Sequence, residues 1–369
     1  MPPPDAGPTA VARALIGSAL RLRPGEQVAV LTWTHTLPWA AACVAEARRR
    51  GARPFLVLED EAAFWQSVES APSPRRWSGL GSAVVAAIAR SDALLYFPGP
   101  ADRARWRALP PSLQDPLLGS DDEWLARTRR AGNRAIRCLL GYVSEPEAER
   151  WGVPAAMWRS QLIRGITEPD YDVLARDARR LATLLARGRT LRLTAANGTD
   201  VTLRLRGRTP WIDDGVIDRE DKRRGRSLSA SPAGSIVVAV DEGSAEGTLV
   251  GNRPSFLPSG RVAGAQWEIE SGRLRNYWYT EGAPTFEAEF GAAPRGREVV
   301  GLFALGLNPS LPGGVPRAED EEAGAATLAI GGNTLYGGRH RCRYLSWITV
   351  GEATVTVDGH PLADRGKLL

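Results

Sequence analysis

Histidine is scarce in this sequence: His35, His340 and His360 are the only three in 369 residues, beside three cysteines and two methionines. That shortage limits transition-metal chemistry, because borderline and soft divalent cations draw their strongest protein ligands from imidazole and thiolate. The cysteines, Cys43, Cys138 and Cys342, lie far apart in segments that read as helix or strand. Such spacing fits neither a disulfide framework nor a zinc knuckle, so they are expected to be buried apolar fillers. No apolar run approaches the roughly 20 residues that cross a bilayer, and the start Met1-Pro2-Pro3-Pro4 has neither a basic nor an apolar leader region. A cytoplasmic protein with no membrane partner is the expectation. The net charge of +5 comes mainly from scattered arginines. They form no long stripe with interleaved aromatics, so nucleic acid is not an expected partner.

What is present describes a globular chain. Hydrophobic residues make up 43% and charged residues 24%, ordinary values for a protein with a buried core. At 369 residues two domains are expected. In the first half, apolar residues at helical spacing run from Thr9 to Leu22, and Pro24-Gly25 turns into an apolar strand, Val28-Ala29-Val30-Leu31. A helix follows from Pro38 to Arg50, with proline in its first turn and Gly51 as its stop. Phe55 to Leu58, Ala93 to Phe97 and Ala135 to Leu140 continue the strands. Continuous apolar strands between amphipathic helices predict an α/β domain with a mostly parallel sheet, residues 1–187. A helix from Asp170 to Ala186, with Leu174, Leu181, Leu184 and Leu185 on one face, closes it. Residues 188–369 read as strand and turn: Thr190 to Thr194, an Asn197-Gly198 hairpin, Val201 to Leu205, Ser235 to Val240, Val262 to Glu268 and Ala353 to Val357. A mainly antiparallel β, barrel-like domain is expected there.

Several motifs carry a family resemblance. Leu22-Arg23-Pro24-Gly25-Glu26-Gln27-Val28, Ser231-Pro232-Ala233-Gly234, Val240-Asp241-Glu242-Gly243-Ser244-Ala245-Glu246-Gly247, Gly301 through Asn308, Gly324 through Gly331 and the strand ending Val350-Gly351 occur in order. Together they resemble the thermophilic-type metallo-aminopeptidases, the aminopeptidase T and AmpS group, over essentially the whole chain. The resemblance implies a dimeric scaffold with two metal ions in the C-terminal domain, held by two glutamates, two histidines, a tyrosine and an aspartate. It places those ligands at Ser235, Leu302, Thr327, Thr334, Leu345 and Trp347, none of which is the family's residue. The chain therefore reads as a degenerate member with no metal site, no cofactor and no catalytic residue of the metallopeptidase kind. The pattern of loss is similar to that of the inactive accessory proteins of crocagin-type modified-peptide biosynthesis.

On this reading the cleft accepts a peptide or precursor peptide, and the alternative is that it has collapsed and filled. Candidate contacts are Trp211, Asp213, Asp214, Ser235, Thr327, Thr334, Tyr336, Arg339, His340 and Trp347. Trp211 can stack on a ligand or anchor a core, and the two aspartates can accept an amino terminus or sit solvated in a turn. Lys222, Arg223, Arg224 and Arg226 form the sharpest basic cluster, a docking loop for an acidic segment or a solvated loop. Arg339 and His340 follow the glycine-rich stretch 331–338 and can recognise a carboxylate. In Asn276-Tyr277-Trp278-Tyr279, strand alternation sends Tyr277 and Tyr279 to one face and Trp278 to the other. A repurposed metal-free lyase, cyclase or hydrolase, and a structural partner of an active relative, remain the other two readings.

Overall fold

The computed structural model describes residues 6–70, 81–110, 114, 127–128, 130–205 and 207–369. By contact the chain divides into two compact units: 1–149, 153–167 and 215–232 form one, and 150–152, 168–214 and 233–369 the other. A single boundary at 187/188, as the sequence reading draws it, does not describe this division. The helix Tyr171–Arg187 belongs to the second unit, and residues 215–232 return to the first.

A five-stranded parallel sheet organises the first unit, in the order Arg53–Glu59, Gln27–Trp33, Ala93–Tyr96, Arg134–Cys138, Leu228–Ser231. Val28, Ala29, Val30, Leu94 and Leu95 are fully buried, as strands covered on both faces require. Leu228–Ser231 is the strand that residues 215–232 bring back, and it pairs in register with Ala135 through Cys138. The N-terminal helix is regular only over Ala6–Arg13 and widens into a π turn over Ala14–Ala19, where the Leu20 N–H reaches the Leu15 carbonyl. Ala135–Leu140 is strand only to Cys138, beyond which Leu139–Tyr142 winds into a 3₁₀ turn. His35 follows the first strand and places Nε2 3.0 Å from the Gly141 carbonyl oxygen. Cys43 and Cys138 are buried.

The second unit holds two large antiparallel sheets beside the two-stranded hairpin of Ser255–Leu257 and Gly260–Val262. Eight strands form one; the other has the order Leu345–Val350, Ala326–Gly331, Val300–Gly306, Ser235–Ala239, Trp211–Asp213. They share one core: Leu191, Leu203, Leu249, Trp267 and Val355 from the larger sheet meet Ile236, Val238, Phe303, Leu328 and Ile348 from the smaller. Burial of each large side chain contributes about 1.5–3 kcal/mol. Asp170 caps the helix Tyr171–Arg187 by accepting from the Asp172 and Val173 N–H groups at 2.9 and 3.2 Å. Leu174, Leu181 and Leu185 enter the core, whereas Leu184, which the sequence reading placed with them, is 40% exposed one step round the helix. Tyr277 and Tyr279 pack against the same core, and Trp278 points out of it. Among the described residues no helix is long and apolar enough to cross a membrane.

Candidate ligand-binding face

Residues of the five-stranded sheet alternate between two faces, and the strand register decides which side chains share one. Val237 pairs with Trp211 and Ala304, Ala304 with Thr327, and Thr327 with Thr349. One row along, Ala239 pairs with Leu302, Leu302 with Ala329, and Ala329 with Trp347. Ser235, two residues before Val237, pairs with Asp213 and Gly306. Ser235, Leu302, Thr327, Leu345 and Trp347 therefore all point to the face away from the shared core. Thr334 lies off the sheet in the exposed turn Thr334–Tyr336.

The floor of this face is small and apolar. Val237, Ala239, Leu302, Ala304 and Ala329 form a buried cluster against which Trp211, Tyr336 and Trp347 pack from outside. Trp211 and Tyr336 meet edge to face at 5.8 Å between ring centres. Both hydroxyls on the floor are engaged. Thr327 Oγ1 lies 2.9 Å from Thr349 Oγ1, and the Ser235 hydroxyl donates to Asp320. Asp320 and its neighbour Glu319 went unnoticed in the sequence, since they sit in a proline- and glycine-rich loop with no periodicity. Desolvation pushes both carboxyls up, and Glu319, which also feels the charge of Asp320, is pushed to about 7. Beside them Ser255 Oγ donates to the Trp347 carbonyl at 2.8 Å.

A second group of residues fixes the glycine-rich stretch. Arg208 grips Glu242 through both terminal nitrogens at 3.0 and 2.7 Å, and the same carboxylate accepts from Asn333 Nδ2 and the Arg339 N–H, each at 2.9 Å. Desolvation alone would raise the Glu242 carboxyl, but these donors outweigh it and hold it far below the usual carboxylate range. Asn333 Oδ1 then accepts the His340 N–H at 2.9 Å. Only glycine fits at 338, because a Cβ there would lie 2.0 Å from the Asn333 side chain. The stretch is thus tied down, and His340 turns Nε2 to the Gly296 carbonyl at 2.8 Å. Arg339 contributes its backbone N–H here.

The remaining candidates separate. Trp211 and Asp213 lie in a short edge strand where the sequence suggested a turn, and Asp214 is buried. Lys222, Arg223, Arg224 and Arg226 belong to the first unit. They form no open loop: Arg219–Arg223 is a helical turn capped by Asp218, Glu220 pairs with both Arg223 and Arg224, and Lys222 Nζ donates to the Gly132 carbonyl at 2.5 Å. Arg226 is buried. Short-range acids at 218, 220 and 221 explain why the cluster folds on itself.

No protein-family model matches the sequence, and no curated protein matches it. Solved structures do. AmpT from Thermus thermophilus superposes with a TM-score of 0.71 at 17% identity, covering 98% of this chain and 99% of that one. The chain has an aminopeptidase T-like fold. The 2,5-dihydroxypyridine dioxygenase from Pseudomonas putida KT2440 is also similar, with a TM-score of 0.67, 17% identity, and coverage of 100% and 98%. On this aminopeptidase T-like fold, the residues at the implied ligand positions do not fit a pair of divalent cations. Such ions need several carboxylate oxygens or imidazole nitrogens converging. The implied positions themselves offer leucines, a tryptophan and hydroxyls, two of these already bonded to Thr349 and Asp320. Among the described residues no three His, Cys, Asp or Glu side chains gather into a metal-holding group.

Proposed function

We propose that the chain is a non-catalytic peptide-binding protein on an aminopeptidase T-like scaffold, acting as an accessory that holds a precursor peptide during biosynthesis of a ribosomally made, modified peptide. It does so in the cytoplasm, as a homodimer. The observation that carries this reading is the chemistry of one sheet face. Five positions at which the family resemblance implies metal ligands, Ser235, Leu302, Thr327, Leu345 and Trp347, converge there with no imidazole or carboxylate of their own. Partly exposed rings of Trp211, Tyr336 and Trp347 edge the same face and offer stacking surface to apolar side chains. Calorimetric titration of the full chain with precursor peptides from its host, alongside elemental analysis and an aminopeptidase assay with added cobalt, tests it. Micromolar binding without release of N-terminal residues is the expected result. Cobalt-dependent release would overturn it.

A second reading has one observation in its favour. The Ser235 hydroxyl donates to the Asp320 carboxylate, so a nucleophile lies beside a base on that face. Covalent labelling of Ser235 by a fluorophosphonate probe, absent in Ser235→Ala, would favour a metal-free hydrolase or acyltransferase.

A further inference from the structure

Two stretches of the second unit, 293–297 and 331–345, hold five arginines and no acid. From Arg339 to Leu345 exposure alternates residue by residue: Arg339, Arg341, Arg343 and Leu345 are exposed, and His340, Cys342 and Tyr344 are half-buried. The backbone beneath them is fixed. His340 donates its N–H to Asn333 Oδ1 at 2.9 Å, and its carbonyl accepts the Asn333 N–H at 3.1 Å. The Gly332 N–H donates to the Tyr344 carbonyl at 2.9 Å. Contacts of the inward side chains bring the two stretches together. His340 Nε2 lies 2.8 Å from the Gly296 carbonyl oxygen, between Arg295 and Arg297 in the chain. Tyr344 meets Phe290 edge to face at 6.0 Å, and the Arg297 guanidinium stands 4.9 Å from the centre of that Phe290 ring.

Elsewhere this chain matches clustered arginines with its own acids: Glu46 with Arg49 and Arg50, Glu220 with Arg223 and Arg224, Glu322 with Arg253. Here it does not. Among the described residues the guanidinium groups of Arg295, Arg339, Arg341 and Arg343 carry no ion pair and no hydrogen bond. The acids that adjoin these stretches are engaged, Glu242 by Arg208 and Glu298 by Arg273. Like charges held side by side on a fixed backbone repel one another, and the fold supplies nothing of opposite sign. We infer that Arg295, Arg339, Arg341 and Arg343 form a docking surface for a run of aspartates or glutamates in a bound peptide, whose carboxylates the guanidinium forks grip. This rests on the peptide-binding reading above and names the class of peptide. The surface is continuous with the face assigned there. Leu345, which ends the arginine row, is 40% exposed and is one of the five positions on the outer side of the sheet. Tyr336, three residues before Arg339, packs on the floor of the same face. An acidic segment over the arginines therefore leaves its apolar neighbours over Leu345 and the rings. A single-stranded nucleic acid suits the surface less, because the aromatic rings beside these arginines, Phe290 and Tyr344, pack on each other and not outward for stacking on bases.

The test is fluorescence anisotropy on the intact chain with three dye-labelled probes: the C-terminally amidated peptides Phe-Leu-Ala-Glu-Glu-Glu and Phe-Leu-Ala-Gln-Gln-Gln, and an oligothymidylate of the same length. The native chain is expected to bind the glutamate peptide about tenfold more tightly than the glutamine peptide, an advantage that shrinks as salt screens the charges. The triple variant Arg339→Gln, Arg341→Gln, Arg343→Gln is expected to lose that advantage while keeping its affinity for the glutamine peptide and its thermal midpoint. Arg223→Gln with Arg224→Gln, which removes cations already paired with Glu220, is expected to keep the advantage. Equal affinity for the two peptides, or an advantage that survives the triple variant or vanishes equally in the double one, would overturn the docking surface and leave the peptide-binding reading standing. Tighter binding of the oligothymidylate than of the glutamate peptide would overturn the choice of partner. Binding of neither peptide would overturn the peptide-binding reading and the docking surface with it.

Discussion

The two faces of the five-stranded sheet are built from the same strands and are both apolar, yet they differ in side-chain size. Ile236, Val238, Phe303, Leu305, Leu328, Ile330 and Ile348 fill one with large side chains that interlock with a second sheet. Val237, Ala239, Ala304, Thr327, Ala329 and Thr349 leave the other shallow, and it is closed from outside by rings and by Asp320. A face under packing selection alone has no reason to stay small. Small residues on a central sheet face mark space that something else fills, here aromatic side chains and a carboxylate from a loop.

The largest effect that would break this contrast is on the core side. Phe303→Ala removes a fully buried ring, and a loss of about 3–5 kcal/mol is expected in denaturant unfolding. Glu242→Ala comes next, at about 3 kcal/mol, because Arg208 is left without its carboxylate in a largely buried setting. Acid titration reports the same group. Its carboxyl is held below the ordinary value of 4.5, so its contribution is complete above that pH and is lost as pH falls toward the depressed value; Glu242→Gln should flatten this acid limb. Ala304→Phe sharpens the comparison, since a closed face loses about 1–3 kcal/mol to overpacking whereas an open one tolerates the ring; the loss is expected, measured by thermal unfolding. The smallest effect is Thr327→Val, about 1–2 kcal/mol, because the Thr349 hydroxyl is left unsatisfied. Thr327→Val with Thr349→Val should recover most of it, and a double-mutant cycle measures the coupling.

Much of this was legible in the sequence where a repeating pattern exists. Continuous apolar runs gave four of the five parallel strands but not Leu228–Ser231, and alternation gave both the antiparallel half and the separation of Trp278 from Tyr277 and Tyr279. The positions 235, 302, 327, 345 and 347 could be nominated from motifs, although only strand register puts their side chains on one face. What escaped notice depends on contacts that no local pattern encodes. Asp320 meets a serine 85 positions earlier, from a loop of turns. Glu242 stood in a recognised motif, but its partners Arg208 and Asn333 lie 34 residues before it and 91 after it. Leu184 was misplaced for a geometric reason: alongside Leu181 and Leu185 it looks equivalent, yet adjacent helix positions differ by about 100° and the core admits only one.

One feature of the chain path bears on handling the protein. Because Leu228–Ser231 completes a sheet whose other strands all end by Cys138, the gene cannot be cut after the helix Tyr171–Arg187 to give two free-standing halves. The N-terminal product would expose the edge of Arg134–Cys138, with Ala135, Ile136 and Cys138 stripped of their neighbour, and would be prone to pair with other copies of itself. Interleaved ownership of strands makes the two units one obligate translation product, and any fusion or split-reporter design has to keep residues 215–232 attached to both.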